Sequence, residues 1–455
     1  MLRSPISSPS KAARAIHLLG HGLLILSLLW GVLNILQHSR LDHRSPYDEH
    51  THFDYWYKIR HDHRIPAVYE AIDPDSLEIW GCQSRFRLLA LSCTAEGGLS
   101  GPDPQIENTA SPYLPTYYLA TAAVSAILDL VPHSWDEFQL AKASSITWGV
   151  LSLCLLAALA LQLGTPAAAA AMLLFAIAQT PSFVYLSTTL NPEIFVLLGT
   201  VAGLWLHLRN AHRFRTDWRW VGMTAALSAV VLTIKPTALL LPVSVAVLEV
   251  LHGQATARDR FLRSAAYFVA TLLTFVAISS LTNQFREVFP SDGVMRDYMM
   301  ERTGSRTFGT NMGMVFNQFQ FSITSPGWRS LVDWDLPHAF PWLPKYVQLT
   351  ALILVAWAAW LLATGKRLGQ RAALHAGALA SCLALPLSLF VYLKFADFPF
   401  FFQARYFMPY LMVTAVTATA FVCSLWPSIT RIRHAHESAE GAREAATPAP
   451  LEPRP

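Results

Sequence analysis

Apolar runs recur along the whole chain, and they limit what it can fold into. Each run is roughly 17 to 25 residues long, which is enough for a helix to cross about 30 Å of hydrocarbon. Hydrophobic residues make up 53% of the 455 residues, and charged residues make up only 14%. Soluble domains carry about a quarter charged residues. The sequence therefore predicts an all-α polytopic membrane protein.

The first apolar run, residues 16–36, follows Lys11 and Arg14, as a signal peptide would. It is longer than a typical signal core, and no small-residue cleavage site precedes Gln37. We therefore predict an uncleaved first transmembrane helix. The formal net charge of +4 is small, and no basic stripe interleaved with aromatic residues occurs, so no nucleic-acid partner is expected.

The distribution of positive charge predicts the topology. About ten spans are predicted, at residues 16–37, 141–163, 168–188, 191–208, 218–234, 237–252, 264–284, 346–364, 372–393 and 406–427. With the N-terminal residues 1–15 in the cytoplasm, four basic clusters fall on the same side, at residues 209–215, 258–263, 366–371 and 431–433. Both termini are therefore predicted to be cytoplasmic, the transmembrane domain is predicted to cover residues 16–427, and residues 428–455 are predicted to be a disordered tail.

Two long segments, residues 38–140 and 285–345, are then predicted to lie outside the membrane. Residues 113–131 in the first of them are apolar enough to span, but a full span would invert every later connection. We predict an interfacial or re-entrant helix there instead. Cys82 and Cys93 also fall in the first segment. In an oxidising exterior they form either a disulfide or two separate thiols, and their spacing is unlike that of a zinc site.

Two adjacent carboxylates, Asp48 and Glu49, follow the first span by about ten residues, with His50 and His52 beside them. Packing gives a membrane protein no reason to place ionisable groups at this level, where acids usually bind or transform a ligand. A merely solvated pair of acids is the alternative. We predict a general base here, either Asp48 or Glu49.

Other polar residues collect at the same predicted outer face. Asn191 and Glu193 flank a proline between two spans, where Asn is a helix cap, a ligand-binding group or both. Lys235 precedes a proline that interrupts an apolar stretch, and it either snorkels to the interface or holds a phosphate. Near the last span lie Lys394, Gln403, Arg405 and Tyr406. Arginine binds phosphate bidentately, whereas an Arg-Tyr pair also occurs as an interfacial anchor.

The histidines raise the question of a metal. His50 and His52 form one His-x-His pair, and His61 and His63 form another. Such pairs share a face in a strand and point to different faces in a helix. A solvated, aromatic-rich segment explains them without a metal. A divalent ion is compatible with the sequence but not required, and no cofactor is predicted with certainty.

This set of groups suits transfer from a lipid-linked phosphate donor. A carboxylate takes a proton from the acceptor, and cations offset the charge of the leaving phosphate. External aromatic residues, such as Tyr55 and Trp56, offer faces on which a sugar stacks. No glycine-rich loop of Walker or Rossmann type is found in a strand-to-helix setting, which argues against a nucleotide-sugar donor and against an ATP-driven pump.

These motifs resemble the GT-C superfamily of membrane glycosyltransferases, which use polyprenyl-phosphate-linked sugars. Their order is similar to that in a family of predicted bacterial multi-pass proteins: Pro-x-Asp-Glu-x-x-His-Phe at 46–53, Pro-x-Tyr-Tyr at 115–118, Asn-Pro-Glu at 191–193, Lys-Pro-Thr at 235–237 and Gln-x-Arg-Tyr at 403–406.

The resemblance covers roughly residues 20 to 410 and implies that Asp48 is the general base. It also implies that the regions of Lys235 and Arg405 serve the donor phosphate. His52, Tyr117, Tyr118, Asn191, Glu193 and Gln403 lie within the shared motifs and Lys394 lies close by, so all seven are candidate donor-binding residues.

The leading hypothesis is therefore an inner-membrane glycosyltransferase with its active site on the periplasmic face. The donor is a polyprenyl-phosphate-linked sugar, and the acceptor is a glycan, lipid or protein. A transporter or flippase of lipid-linked sugars is the first alternative, although it should show more polar residues at the membrane midplane. An assembly or sensing protein is the second, and it would tolerate loss of Asp48.

Overall fold

The structure, a computed structural model, describes residues 11–39, 41, 49–82, 107–251, 256–286, 409 and 412–423. The regular structure of these residues is helical, apart from one isolated antiparallel bridge between Ala71 and Glu107. The helices, in chain order, are α1 (Lys11–His38), α2 (Glu49–His61), α3 (Pro74–Gly81), α4 (Thr116–Leu128), α5 (Glu137–Gln162), α6 (Ala167–Ala178), α7 (Pro181–Thr188), α8 (Pro192–Thr216), α9 (Trp218–Leu232), α10 (Leu240–Leu251), α11 (Ala257–Gln284) and α12 (Met412–Cys423).

Four of these helices are long and apolar enough to cross a membrane: Ala15–His38 within α1, and α5, α8 and α11. Their 24 to 28 residues exceed the roughly 20 that hydrocarbon requires. Large apolar side chains on α1 and α11 face outward, where lipid would cover them; Leu18 is 72% exposed and Leu273 is 66% exposed. The described residues therefore form a multi-pass helical membrane protein.

The α5 helix lies at the centre of the bundle and packs against α1, α4, α7 and α8. Gly149 allows a close approach, because a Cβ atom at this position would lie 2.5 Å from the Cβ atom of Ser187 on α7. Small residues commonly let membrane helices approach in this way. On the far side of α8, α9 and α10 pack against it and against α11.

Helices occur near the seven predicted spans up to residue 284, but several bounds differ. The predicted span 168–188 is divided into α6 and α7, because the helix ends at Gln179 and Pro181 starts the next one. The predicted cytoplasmic connection 209–215 is helical, since α8 continues to Thr216 through a kink at Asn210. The predicted span 237–252 begins with a 3₁₀ turn, Pro236–Leu239.

The predicted outer segment contains α2, α3 and α4. At 13 residues, α4 is shorter than the roughly 20 needed to cross hydrocarbon, so a helix of interfacial length lies within residues 113–131. Its depth in the membrane stays a prediction. The segment 285–345, apart from residues 285 and 286, lies outside the described residues. So do the predicted spans 346–364 and 372–393 and the tail 428–455.

Cys82, at the end of α3, is disulfide-bonded. Its partner lies outside the described residues, so the pairing with Cys93 stays a prediction. Of the other cysteines that the structure describes, Cys154 and Cys423 are free.

Candidate active site at the start of α2 and α8

The site begins where α2 starts. Glu49 is the first residue of α2 and is only 1% exposed. Its Oε1 atom accepts a hydrogen bond of 2.9 Å from the backbone N–H of Leu190, between α7 and α8. A carboxylate in the first turn is also favoured by the positive end of the helix dipole. Glu49 therefore joins α2 to the α7–α8 junction, across 141 residues of sequence.

The α7–α8 junction places Asn191 and Glu193 next to this contact. Asn191 is the N-cap of α8, and its side chain accepts a hydrogen bond of 3.0 Å from the N–H of Glu193. Pro192 occupies the first helical position, where its missing N–H costs nothing. The capping role predicted for Asn191 is thus confirmed. The cap fixes Glu193 at the start of α8, fully buried and in the first turn.

Lys235 lies opposite Glu193. The α9 helix ends at Leu232, and Lys235 is extended (φ −166°, ψ 150°) before Pro236 starts the 3₁₀ turn. The Lys235 side chain is buried, and its Nζ atom lies 2.5 Å from Oε1 of Glu193. The helix break is as predicted, but the snorkelling alternative is wrong, because Lys235 is only 2% exposed. A buried charge requires such a partner.

Aromatic rings cover Lys235 on the side of α4. Its Nζ atom lies 4.7 Å from the centre of the Tyr113 ring, within the range of a cation–π contact. Tyr113 is stacked on His52 with ring centres 6.2 Å apart, and Nδ1 of His52 lies 2.7 Å from the hydroxyl of Tyr118. The Tyr118 ring stacks on Tyr55 at 3.9 Å. These rings form a continuous wall from the ion pair back to α2.

The second tyrosine of the motif faces α5. The hydroxyl of Tyr117 lies 3.4 Å from Oγ of Ser145, which donates to the carbonyl of Thr189 just before the α7–α8 junction. The start of α4 is also tied to the end of α9, because the hydroxyls of Thr116 and Thr233 are 2.6 Å apart. These bonds fix the aromatic wall against the elements that carry Glu193 and Lys235.

The contacts close a ring of predicted residues that are distant in sequence. The structure brings together seven of the predicted site residues: Glu49, His52, Tyr117, Tyr118, Asn191, Glu193 and Lys235. We call this ring the outer cluster. The remaining predicted residues, Asp48, Lys394, Gln403, Arg405 and Tyr406, lie outside the described residues.

Three members of the site were not predicted as site residues: Tyr113, Tyr55 and Arg286. Tyr55 donates a hydrogen bond of 2.9 Å to the carbonyl of Tyr113, and Arg286, after the end of α11, donates to the same carbonyl and to the Tyr55 hydroxyl. Burial raises the pKa of Tyr55 to about 12, although the nearby Arg286 charge opposes the shift, so Tyr55 is a neutral donor at pH 7. The sequence signal that could have identified Arg286 is its position on the predicted outer side, where the positive-inside rule disfavours an arginine.

A second group of buried charges lies beside the outer cluster, on the same helix α2. Asp54 and Lys58 are 0% and 1% exposed and form an ion pair of 2.9 Å. Asp54 also accepts hydrogen bonds from the N–H of Asp73, from Ser76 and from Asn108. Burial raises the pKa of Asp54 despite these partners, with Lys58 as the main opposing charge. We call Asp54, Lys58 and the groups bound to them the α2 network.

The α2 network extends to Glu70. Lys58 donates to the carbonyl of Ala71 at 2.7 Å and lies 3.3 Å from Glu70, which also accepts two hydrogen bonds from Arg64. Burial raises the pKa of Glu70, but the bonds from Arg64 and the charge of Lys58 outweigh it, so the net shift is downward. Each charge in this network has several partners, which indicates a role in folding the outer segment.

The histidines of the two His-x-His pairs contact different groups. His52 bonds Tyr118, the His50 ring lies 5.1 Å from that of Trp80, and His61 lies 3.3 Å from Glu137. His63 is exposed, with a positive φ of 54°. Within the part of the chain that the structure describes, no group of three or more His, Cys, Asp and Glu residues is placed to hold a metal ion.

Comparison with protein families supports a glycosyltransferase. Residues 119–282, about a third of the chain, match the family described as dolichyl-phosphate-mannose-protein mannosyltransferase. The match is similarity to a glycosyltransferase family. It contains Asn191, Glu193 and Lys235 of the outer cluster, whereas Glu49 and His52 precede it. A search of curated protein sequences finds no match.

Among solved structures, the chain is similar to the archaeal oligosaccharyltransferase AglB from Archaeoglobus fulgidus, in complex with an inhibitory peptide and a dolichol-phosphate. The sequences are 12% identical and the TM-score is 0.46. The alignment covers 95% of this chain and 52% of AglB, so the chain spans about half the length of that protein.

The outer cluster brings together buried groups of opposite charge and aromatic rings. It contains a buried ammonium, two buried carboxylates and a wall of aromatic rings. Cations held in a site of low dielectric interact more strongly with a phosphate than they would in water. Aromatic faces pack against the apolar faces of ring-shaped ligands.

Proposed function

We propose that this protein is a membrane glycosyltransferase that moves a sugar from a polyprenyl-phosphate donor to an acceptor. The reaction takes place at the outer, periplasmic face of a bacterial inner membrane, with both termini in the cytoplasm. The acceptor is a glycan, a lipid or a protein. The family match over residues 119–282 supports the reaction class, and the basic clusters of the sequence support the orientation.

One observation carries this proposal: a buried Lys235 whose ammonium is fixed between the Glu193 carboxylate and the Tyr113 ring. Charged residues inside a membrane are costly even when they are paired, and they often mark functional sites. In this position Lys235 binds the phosphate of the donor and stabilises the negative charge that grows as the sugar leaves. Glu193 orients the ammonium.

The general base in this proposal is Asp48, which directly precedes α2 in the sequence. Glu49 is less suited to proton transfer, because its Oε1 atom already accepts the Leu190 N–H. Its role is to hold the start of α2 against the α7–α8 junction. Adjacent residues of a turn can exchange roles, so both carboxylates are kept as candidates for the test below.

The sugar of the donor packs against the aromatic wall in this scheme. Tyr113, His52 and Tyr118 present ring faces and a hydroxyl next to Lys235. Arg405 and Lys394, together with Gln403 and Tyr406, supply further contacts to the donor phosphate. Arginine suits this role because its planar guanidinium binds phosphate oxygens in pairs.

In the proposed reaction, the sugar is transferred directly from the donor phosphate to the acceptor. The acceptor hydroxyl or amine attacks the anomeric carbon of the sugar, and its proton passes to the carboxylate of Asp48. The bond between the anomeric carbon and the phosphate oxygen breaks, and its electron pair leaves with the polyprenyl phosphate. Lys235 interacts with this product phosphate, which carries more charge than the donor phosphate.

The test is a transfer assay in membranes with a panel of radiolabelled polyprenyl-phosphate sugars, comparing wild type with Lys235→Gln. Removing one group that stabilises the developing charge should lower transfer about 100-fold or more. Lys58→Gln is the matched control, because Lys58 is also a buried, ion-paired lysine but belongs to the α2 network. At equal amounts of folded protein, it should keep most of the transfer.

Lys235→Arg should recover part of the activity, since it restores the positive charge. Wild-type transfer from no donor in the panel would contradict the enzyme proposal and favour a transporter of lipid-linked sugars. Equal losses in Lys235→Gln and Lys58→Gln would contradict the role given to Lys235.

A further inference from the structure

A cavity of about 230 Å³ lies between α8 and α9, near the end of α8 remote from the outer cluster. His207, which lines it, follows Glu193 by 14 residues, or about 21 Å along a helix. The lining is mainly apolar and includes Leu206, Phe214, Trp220, Met223 and Leu227. Leu206 and Met223 are 37% and 59% exposed, so the cavity opens on the outward face of the bundle.

Three polar residues, His207, Asn210 and Thr224, also line this mainly apolar space. The Nε2 atom of His207 lies 3.1 Å from Oε1 of Glu249, which Arg215 also binds at 3.0 Å. A carboxylate only accepts, so Nε2 carries the proton of this bond. The Nδ1 atom of His207 is buried and has no hydrogen-bond partner among the described residues. Buried polar atoms usually have one, so this atom indicates a ligand group.

Two exposed arginines of α8 follow His207 in the chain, and Arg213 contacts a residue that lines the cavity. The guanidinium of Arg213 lies 5.0 Å from the ring of Trp220, which lines the cavity, and Arg209 lies 5.3 Å from the ring of Trp205. Arg215 is engaged with Glu249 instead. The α8 helix is kinked at Asn210, which also lines the cavity, between these arginines. The contact with Trp220 therefore holds one cationic group, Arg213, beside the apolar space.

We propose that this cavity binds an anionic phospholipid of the surrounding membrane. One acyl chain occupies the apolar space, and the phosphate lies at Arg213 and Arg209. His207 is six residues before Arg213, or about 9 Å along the helix, which is the level of the ester groups below the phosphate. This inference is independent of the proposed transferase activity.

Native mass spectrometry of the full-length protein in detergent tests this proposal, by titration with phosphatidylglycerol or with phosphatidylcholine. Wild type should bind phosphatidylglycerol more tightly than phosphatidylcholine. Arg213→Gln should weaken the binding of phosphatidylglycerol about fivefold, because one basic residue near a membrane surface contributes about this much to the binding of anionic lipid. Arg219→Gln is the control, because this exposed arginine of α9, unlike Arg213, does not lie over the ring of Trp220. It should change binding little.

Filling the cavity tests the acyl chain separately. Met223 lines the cavity, so Met223→Trp should weaken the binding of both lipids. Met172→Trp, at a position that is 70% exposed on α6, should leave the binding unchanged. Equal binding of the two lipids by wild type, or equal effects of the two arginine variants, would overturn the proposal. A dimer that Met223→Trp disrupts would also overturn it, because a second copy of the chain would then cover the cavity.

Discussion

The protein contains two buried acid–lysine pairs that differ in how completely their groups are bonded. In the α2 network, both carboxylate oxygens of Asp54 accept hydrogen bonds, and Lys58 reaches three acceptors. In the outer cluster, Oε1 of Glu193 binds Lys235, but Oε2 is buried and accepts no hydrogen bond from the residues that the structure describes.

The two pairs also differ in what they join. Asp54 and Lys58 are four residues apart on α2, whereas Glu193 and Lys235 are 42 residues apart and join two helix breaks. A buried polar network in which every group is hydrogen-bonded rigidifies a fold. A buried group without a hydrogen-bond partner adds less to rigidity and often has a role in function. We therefore expect loss of the first pair to be seen mainly in stability and loss of the second mainly in activity.

The largest expected effect on stability is that of Asp54→Ala. It leaves the Lys58 ammonium buried without its main counter-charge, and breaking a buried pair in this way costs about 3–5 kcal/mol. Thermal unfolding of the purified protein in detergent measures the loss. An unfolding temperature equal to that of wild type would contradict the structural role of the α2 network.

Glu193→Gln should have the opposite profile. The amide keeps the shape of the side chain and an oxygen acceptor for Lys235, so the loss of stability should be smaller than for Asp54→Ala. Transfer should fall about tenfold, because the ammonium is less firmly oriented and a misplaced group near the chemistry costs up to 100-fold. Transfer rates normalised to folded protein measure this, and a loss confined to stability would contradict the comparison.

The α2 network should also respond to acid. The pKa of Glu70 is lowered in the folded protein, so its contribution to stability is present above the unfolded value, about 4.3, and is lost as the pH falls through the lower folded value. The unfolding temperature of wild type should therefore decrease below about pH 4.3. Glu70→Gln should be less stable at pH 7 and should show a smaller decrease, and identical pH profiles would contradict this role.

The smallest expected effect is that of Tyr118→Phe. It removes the hydroxyl that bonds His52 but keeps the ring stacked on Tyr55, so it should cost about 1 kcal/mol of stability. Transfer should fall only a few-fold, because the aromatic face remains. Tyr117→Phe is the matched control on the side of α5, and a larger loss in this variant would place the donor against Tyr117 instead.

The sequence predicted the composition of the outer cluster better than its connections. Short motifs identified Glu49, His52, Glu193 and Lys235 because each motif combines a polar group with a helix boundary. The sequence did not predict that Glu193 binds Lys235 or that Glu49 binds the Leu190 N–H. Those contacts depend on how α8 packs against α9 and α2, which no local pattern records.

The α2 network was not predicted at all. Asp54 and Lys58 have the i, i+4 spacing of an ordinary exposed helix pair, so the sequence alone does not distinguish a buried pair from a solvated one. Helix existence was predicted well from apolar length, but the continuation of α8 through Arg209 and Arg213 was not. Charged residues after an apolar run predict the edge of a membrane, which need not coincide with the end of a helix.

If the outer cluster belongs to an enzyme whose base precedes α2, replacing Asp48 by Asn should abolish its activity. Transfer from the radiolabelled polyprenyl-phosphate sugars is measured in membranes for wild type, Asp48→Asn and Glu49→Gln, each at matched levels of inserted protein. We expect transfer by wild type, loss of it in Asp48→Asn and a partial loss in Glu49→Gln. Unchanged transfer in Asp48→Asn, or no transfer by wild type from any donor, would contradict it.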